Sequence, residues 1–492
     1  MKKSIDAGET LKKATALYNE KKFPEAVELW KSLEDADCAE ALYMLGICYN
    51  YNLGVEIGDE EERARIASGY FIKSAEKGHA EAQCFAGLCF RSGTGVDKDL
   101  KKSVEWFEKS AAQNCTQAMN NLGQMYERGE IDVEIDGSDD CGDYEDGEDG
   151  GYEDGEDGGY EDGEDGEDSE TKRKKYAKSM SLSFEWYKKS AQLKDATGQL
   201  SLGRAYYDGR GVPRDYKSAV KYYALAAEQG SADALFRLGE CYDDGEGVER
   251  NSITAFKYYK EAAKRNHAKA QCYVGYCYEY GEGVKRDLDE ALKWYCVSAE
   301  NNYGQAYCNL GCMYEEGRGV KKNMPKAIEM YERGAAAGNY MASHNLGNVY
   351  AFGKGVKVNM ALAIKYYEHA ARGGVAEAQY NLAQHLHKGQ YVERDDSAAA
   401  FWFMQSAQNG DADAQYKIGS FFMNGIGVDE DPEIGFYWFM RSASQGDADA
   451  QYAVGVCYED GIGVEADLEE AREWYARSAK QGNKEAKKHL KK

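Results

Sequence analysis

Apolar and small residues return along this chain with helical spacing, interrupted at regular intervals by short glycine-rich turns. In ADALFRLGECYDDGEGVERNSITAFKYYKEAAKRNH, the Ala, Leu, Gly and Tyr residues between Ala232 and Asp243 fall on one helical stripe, which predicts a first helix, helix A. Gly245, Gly247 and Val248 then predict a tight turn, since glycine reaches the left-handed backbone angles that stop a helix. Asn251 is placed to cap a second helix, helix B, which carries Ala255.

This unit recurs. The string L-G-x-x-Y returns with a period of 36, its first glycine falling at Gly46, Gly87, Gly123, Gly203, Gly239, Gly275, Gly311, Gly347, Gly419 and Gly455, with Ala383 in the remaining place. That makes eleven repeats, of which the first and third carry insertions of 5 and 44 residues in the same connecting loop. Twelve positions after the marker stand Asp99, Asp215, Asn251, Asp287, Asn323, Asn359, Asp395, Asp431 and Asp467, all expected N-caps; Pro432 suits the first helical position. Helix B is anchored on the Trp series 294, 402, 438 and 474. A single hairpin cannot bury its apolar face, so neighbours must stack. The predicted fold is all-α, a solenoid of paired antiparallel helices with a long concave surface.

Composition narrows the function. The 492 residues include only 4 prolines, and no apolar run approaches the length of a membrane span. The N-terminus MKKSIDAGETLKKATALYNE lacks the apolar stretch of a signal peptide, so a cytoplasmic protein without membrane insertion is expected. The net charge is -25, yet residues 130–170 alone hold 22 acidic residues and no Lys or Arg, leaving the rest nearly neutral. With no basic excess, nucleic acid is excluded as a partner. The acidic segment repeats YEDGEDGG-type octets at Tyr144, Tyr152 and Tyr160 and reads as a solvated tether; it does not fit a calcium-loop pattern. Lys172, Arg173, Lys174 and Lys175 either fold back on it or lead into helix B of repeat three.

The pattern A-x-A-x-x-x-L-G-x-x-Y-x-x-G-x-G-V, then Asp or Asn, then Ala and W-Y-x-x-A-A, resembles the Sel-one-like repeat family over about residues 39–483. The resemblance implies a right-handed α-solenoid of the tetratricopeptide-like kind. The stretch ATALYNEKKFPEAVELWKSL, with Tyr18, Ala26 and Trp30, resembles one hairpin of the related tetratricopeptide repeat. The expected divisions are therefore 1–38 (that hairpin), 39–129 (repeats one to three, first part), 130–175 (disordered acidic insertion), 176–483 (the remaining repeats) and 484–492 (a basic cap). Asn52 replaces a loop glycine in repeat one. Ala383, Leu386 and Tyr391 depart from the pattern in repeat nine, where different packing is expected.

What the resemblance implies is a non-catalytic adaptor or scaffold for protein or peptide partners, without cofactor or metal. Two rivals come from the same comparison: an enzyme of β-lactamase or penicillin-binding type, as attributed to cysteine-rich relatives, and a host-directed effector exported without a cleaved signal. The enzyme lacks a nucleophile with a positioned base. Those relatives bridge helices within a repeat by disulfides. Here Cys48, Cys89, Cys241, Cys277 and Cys457 stand two after the marker and Cys84, Cys272 and Cys308 three before it, all on helix A, so packing thiols are expected. His385 and His387 have the wrong spacing for a zinc pair on one helix. By analogy with the tetratricopeptide groove, partner binding is expected on the helix A face, one, four and five residues after the marker and three and six before it. In the middle repeats these positions include Arg204, Tyr207, Phe236, Glu240, Tyr276, Glu279, Glu315, His344 and Asn348.

Overall fold

The computed structural model describes residues 6–36, 38–135 and 169–491, and the central part of the acidic insertion lies outside them. Among the described residues there are α-helices, one short 3-10 turn and no strand. The chain divides into two compact units, Met1–Ala262 and Ala263–Lys492.

The first unit opens with a hairpin of Ala7–Asn19 and Phe23–Lys31. Its Ala26 and Trp30 are fully buried and pack with Tyr18, as the tetratricopeptide-like pattern requires. Helices A then run Ala39–Asn50, Ala80–Ser92, Thr116–Glu127, Ala196–Asp208 and Ala232–Asp244, each followed by its helix B. In the second unit, helices A (Ala268–Tyr280, Gly304–Glu316, Tyr340–Phe352, Ala376–Lys388, Ala412–Asn424, Ala448–Asp460) again alternate with helices B, and Lys484–His489 closes the end. Each unit is a stack of such pairs.

The marker glycine has a direct steric cause. A Cβ on Gly275 would lie 2.7 Å from Tyr295 Cδ1, and one on Gly87 would lie 2.7 Å from Phe107 Cδ1. The ring that covers the glycine comes from the residue after the Trp position. Helix B is thus anchored by this aromatic, with the Trp beside it. All nine expected caps form: Asp287, for example, accepts from the amides of Asp289 and Glu290, and Asn251 from that of Thr254. Asn52 and Tyr391 hold the left-handed turn without glycine, at φ 55° and 70°.

Two sequence expectations change. Repeat nine keeps ordinary geometry: Ala383 is buried with Phe403, and Ser406 Oγ donates to Ala376 O at 2.9 Å, as Ser442 does to Ala412 O at 2.8 Å. Alanine takes the glycine's place beside Phe403, and the other seam contacts are retained. Helix B of repeat three begins at Ser169, not at 176, and runs to Gln192. The basic run Lys172–Lys175 therefore belongs to this helix. Lys175 meets Asp132 at 3.2 Å and Lys178 Nζ donates to Glu134 O at 2.8 Å, which ties the extra turns to the segment after helix A.

Candidate protein-binding face

Side chains on helix A that miss helix B either meet the next helix A or face outward. In the first unit Arg204 is exposed, Tyr207 and Glu240 are half-buried, and Phe236 is 2% exposed against the Tyr259 ring. In the second, Tyr276 is 40% exposed and stacks near Tyr280, while Glu315 and Asn348 are half-buried. Glu279 and His344 are buried, at 3% and 9% exposure. The expectation that all nine lie on an open surface is corrected for Phe236, Glu279 and His344. Three before the marker and four after it, a side chain points into the seam between successive helices A.

That seam carries a ladder the sequence reading missed. Glu279 accepts from Tyr295 Oη at 2.7 Å and is paired with Arg318 of the next repeat. Glu315 repeats the arrangement with Tyr331 at 2.8 Å and Lys354 at 2.7 Å. In the first unit Glu127 takes Tyr187 at 2.7 Å and Arg210 at 2.8 Å. One repeat earlier the charges are exchanged, Arg91 meeting Glu130 at 2.7 Å. The signal was present in the sequence: in these four pairs, position four of one repeat and position seven of the next carry opposite charges, in either order. Burial pushes the Tyr295 and Tyr187 hydroxyls up, and the carboxylate each one faces adds to it, so these tyrosines stay protonated donors. At Asn348 a neutral amide replaces the carboxylate and accepts from Tyr367 at 2.8 Å.

The thiols are free among the described residues, and most are buried. Burial pushes Cys241 and Cys272 up to about 12, where no thiolate forms near neutrality. Cys115 differs: its hydrogen bond with Cys84 holds it down to about 6. His387 Nδ1 lies 2.7 Å from Asp396, and His385 stands apart against Tyr391. Among the described residues no three His, Cys, Asp or Glu side chains converge as metal ligands, and no helix is long and apolar enough to cross a membrane.

A family model described as Sel1 repeat matches twelve segments, from 39–79 to 448–483. Two of them, 116–138 and 176–195, are the halves of the repeat divided by the acidic insertion, which leaves eleven repeats. A protective antigen of uropathogenic Escherichia coli with an SLR fold is 28% identical, with 94% of this chain and 89% of that chain covered at a TM-score of 0.52. Chitin synthase regulatory factor 2 of Schizosaccharomyces pombe is 28% identical over 99 residues, 20% of this chain and 18% of that protein. Chitin synthase regulator SKT5 of Saccharomyces cerevisiae is 30% identical over 83 residues, 17% of this chain and 12% of that protein. The matches thus span less than a fifth of these curated relatives.

Proposed function

This chain belongs to the Sel1 repeat family, and from that premise we propose that it is a non-catalytic adaptor that holds protein partners on its helix A face in the cytoplasm. One observation carries the reading. The recurring small and aromatic positions are consumed by packing, whereas variable positions one and five after the marker are exposed on helix A at Arg204 in one unit and at Tyr276 and Tyr280 in the other. Exposed aromatics beside charge anchor a polypeptide and set its direction. Two curated relatives are named as regulators of an enzyme, which accords with a binding role. The acidic insertion adds a long-range field that is screened by salt.

The test is photo-crosslinking. With p-benzoylphenylalanine at Tyr276, cell extract should yield recurrent protein adducts identified by mass spectrometry. The same probe at Lys293, exposed on helix B, should not. Equal labelling at both positions, or no protein adduct at either, rejects the helix A face as the binding surface.

A further inference from the structure

In the second unit a different pattern occupies the seam. Three residues before the marker stand His344, Tyr380, Tyr416 and Tyr452 in four successive repeats. The next helix A in each case carries an acid six before its own marker or in the cap: Glu377, Asp413, Asp449 and Glu485. Each ring is within electrostatic reach of that acid. The three tyrosines are half-buried; Glu377, Asp413 and Asp449 are exposed. Each tyrosine rests on an aromatic of helix B, Phe403, Phe439 or Tyr475, at ring distances of 5.5 to 5.7 Å, so the rings form a fixed platform.

Three observations say what belongs on it. Among the described residues Glu377, Asp413 and Asp449 form no ion pair, and of the three only Asp449 is hydrogen-bonded, accepting from the Asn483 amide at 3.1 Å. On two rungs the chain's own side chains already meet the tyrosine: Lys417 Nζ lies 5.7 Å over the Tyr416 ring, and on the end helix His489 lies edge-on to Tyr452 at 5.7 Å while Lys488 pairs with Glu485 at 2.6 Å. On the first rung, the Nδ1 of buried His344 has no hydrogen-bond partner, although its Nε2 lies 3.3 Å from the Asn348 amide. With the Asn348 amide facing Nε2, Nδ1 carries the proton, and a backbone carbonyl of a docked chain would be the acceptor it lacks. We propose that this ladder, deepening the adaptor reading on which it rests, is the docking site for an extended peptide segment with Lys or Arg at every third residue. Stacked helices lie about 8–10 Å apart, and a chain in the polyproline II form, with three residues per turn, advances about 3.1 Å per residue and returns every third side chain to the same side. Three residues therefore span one rung, placing each cation between a carboxylate and a tyrosine face.

The probe is a fluorescein-labelled Gly/Ser peptide with Arg at every third position, titrated with the full chain by fluorescence anisotropy at about 0.15 M salt. It should bind more tightly than a peptide of the same composition with its Arg residues contiguous. Glu377→Gln/Asp413→Asn/Asp449→Asn should weaken it roughly tenfold or more. The helix B set Glu433→Gln/Glu469→Gln/Glu470→Gln, with the same change in net charge, should leave it within about twofold. Binding should persist in a chain lacking residues 136–168. The proposal is overturned if the two peptides bind alike, if both triple sets act alike, if the deletion abolishes binding, or if calcium alone titrates the three acids in a calorimeter. Crosslinking at Tyr276 that still captures proteins after such a failure leaves the adaptor reading intact; its loss would reject that reading separately.

Discussion

Repeats six and seven and repeats nine to eleven share one unit, one period and one hairpin, yet they close their seams differently. Three before the marker, Cys272 and Cys308 are buried, and the amides of Asn309 and Asn345 point at them from 3.5 Å, Asn345 also reaching Cys312 at 3.8 Å. Nearby, Glu279 and Glu315 are fully engaged by a tyrosine and by the next repeat's cation. In repeats nine to eleven the same position holds half-buried tyrosines, and Glu377, Asp413 and Asp449 form no ion pair among the described residues. In repeats six and seven the acid four after the marker is used inside the seam, whereas in repeats nine to eleven the acid six before the marker faces outward.

The comparison breaks most readily at Glu279, whose side chain is 4% exposed. Glu279→Ala leaves the Tyr295 hydroxyl without its acceptor and Arg318 without its buried partner, and should cost about 3 kcal/mol in urea unfolding. Asp413→Ala, from the open region, should stay within about 0.5 kcal/mol. Similar values for the two would erase the distinction.

Gly275→Val tests the feature both regions share. The new side chain meets the Tyr295 ring, so a loss of about 1–3 kcal/mol is expected. Unchanged thermal and urea unfolding would show that the ring can move aside.

Acid titration sharpens the contrast at lower amplitude. Burial pushes the Asp411 and Asp447 carboxyls up, and neighbouring carboxylates, Asp413 and Glu377 for the first and Asp449 and Asp413 for the second, add to it. The folded groups titrate above the ordinary Asp value of about 3.9, so the folded chain binds more protons in that window. Their contribution favours folding below the ordinary value and is lost as pH rises through the raised one. Asp411→Asn/Asp447→Asn keeps both caps, which accept from the Ala414 and Ala450 amides. The double variant should gain roughly 0.5 kcal/mol at pH 7 and nothing at pH 3. A loss at pH 7 would mean that the helix termini need these charges more than the cluster resents them.

Thiols give the smallest effect. Reducing agent should leave unfolding unchanged, and a thiol reagent in denaturant should count all 13 cysteines. In the native chain Cys115 and exposed Cys296 should react ahead of Cys272 and Cys308. Fast reaction at Cys272 would show that the closed seam opens.

By itself the sequence determined the hairpin, its period and its punctuation. Asp287 caps the amides two and three residues on, Gly245 and Gly247 turn the chain, and Gly275 meets an aromatic only 20 residues on. These partners lie close along the chain, so residue type and spacing suffice to specify them. Exposure on the helix A face was decided only by tertiary structure. Phe236, Glu279 and His344 look like surface positions within one repeat and are buried. Arg318 lies 39 residues from Glu279, and Asp413 lies 33 from Tyr380. Whether such pairs close or stay open depends on how one repeat seats on the next. That contact is set by the volumes of side chains on two separate helices, and no pattern within a single repeat contains it.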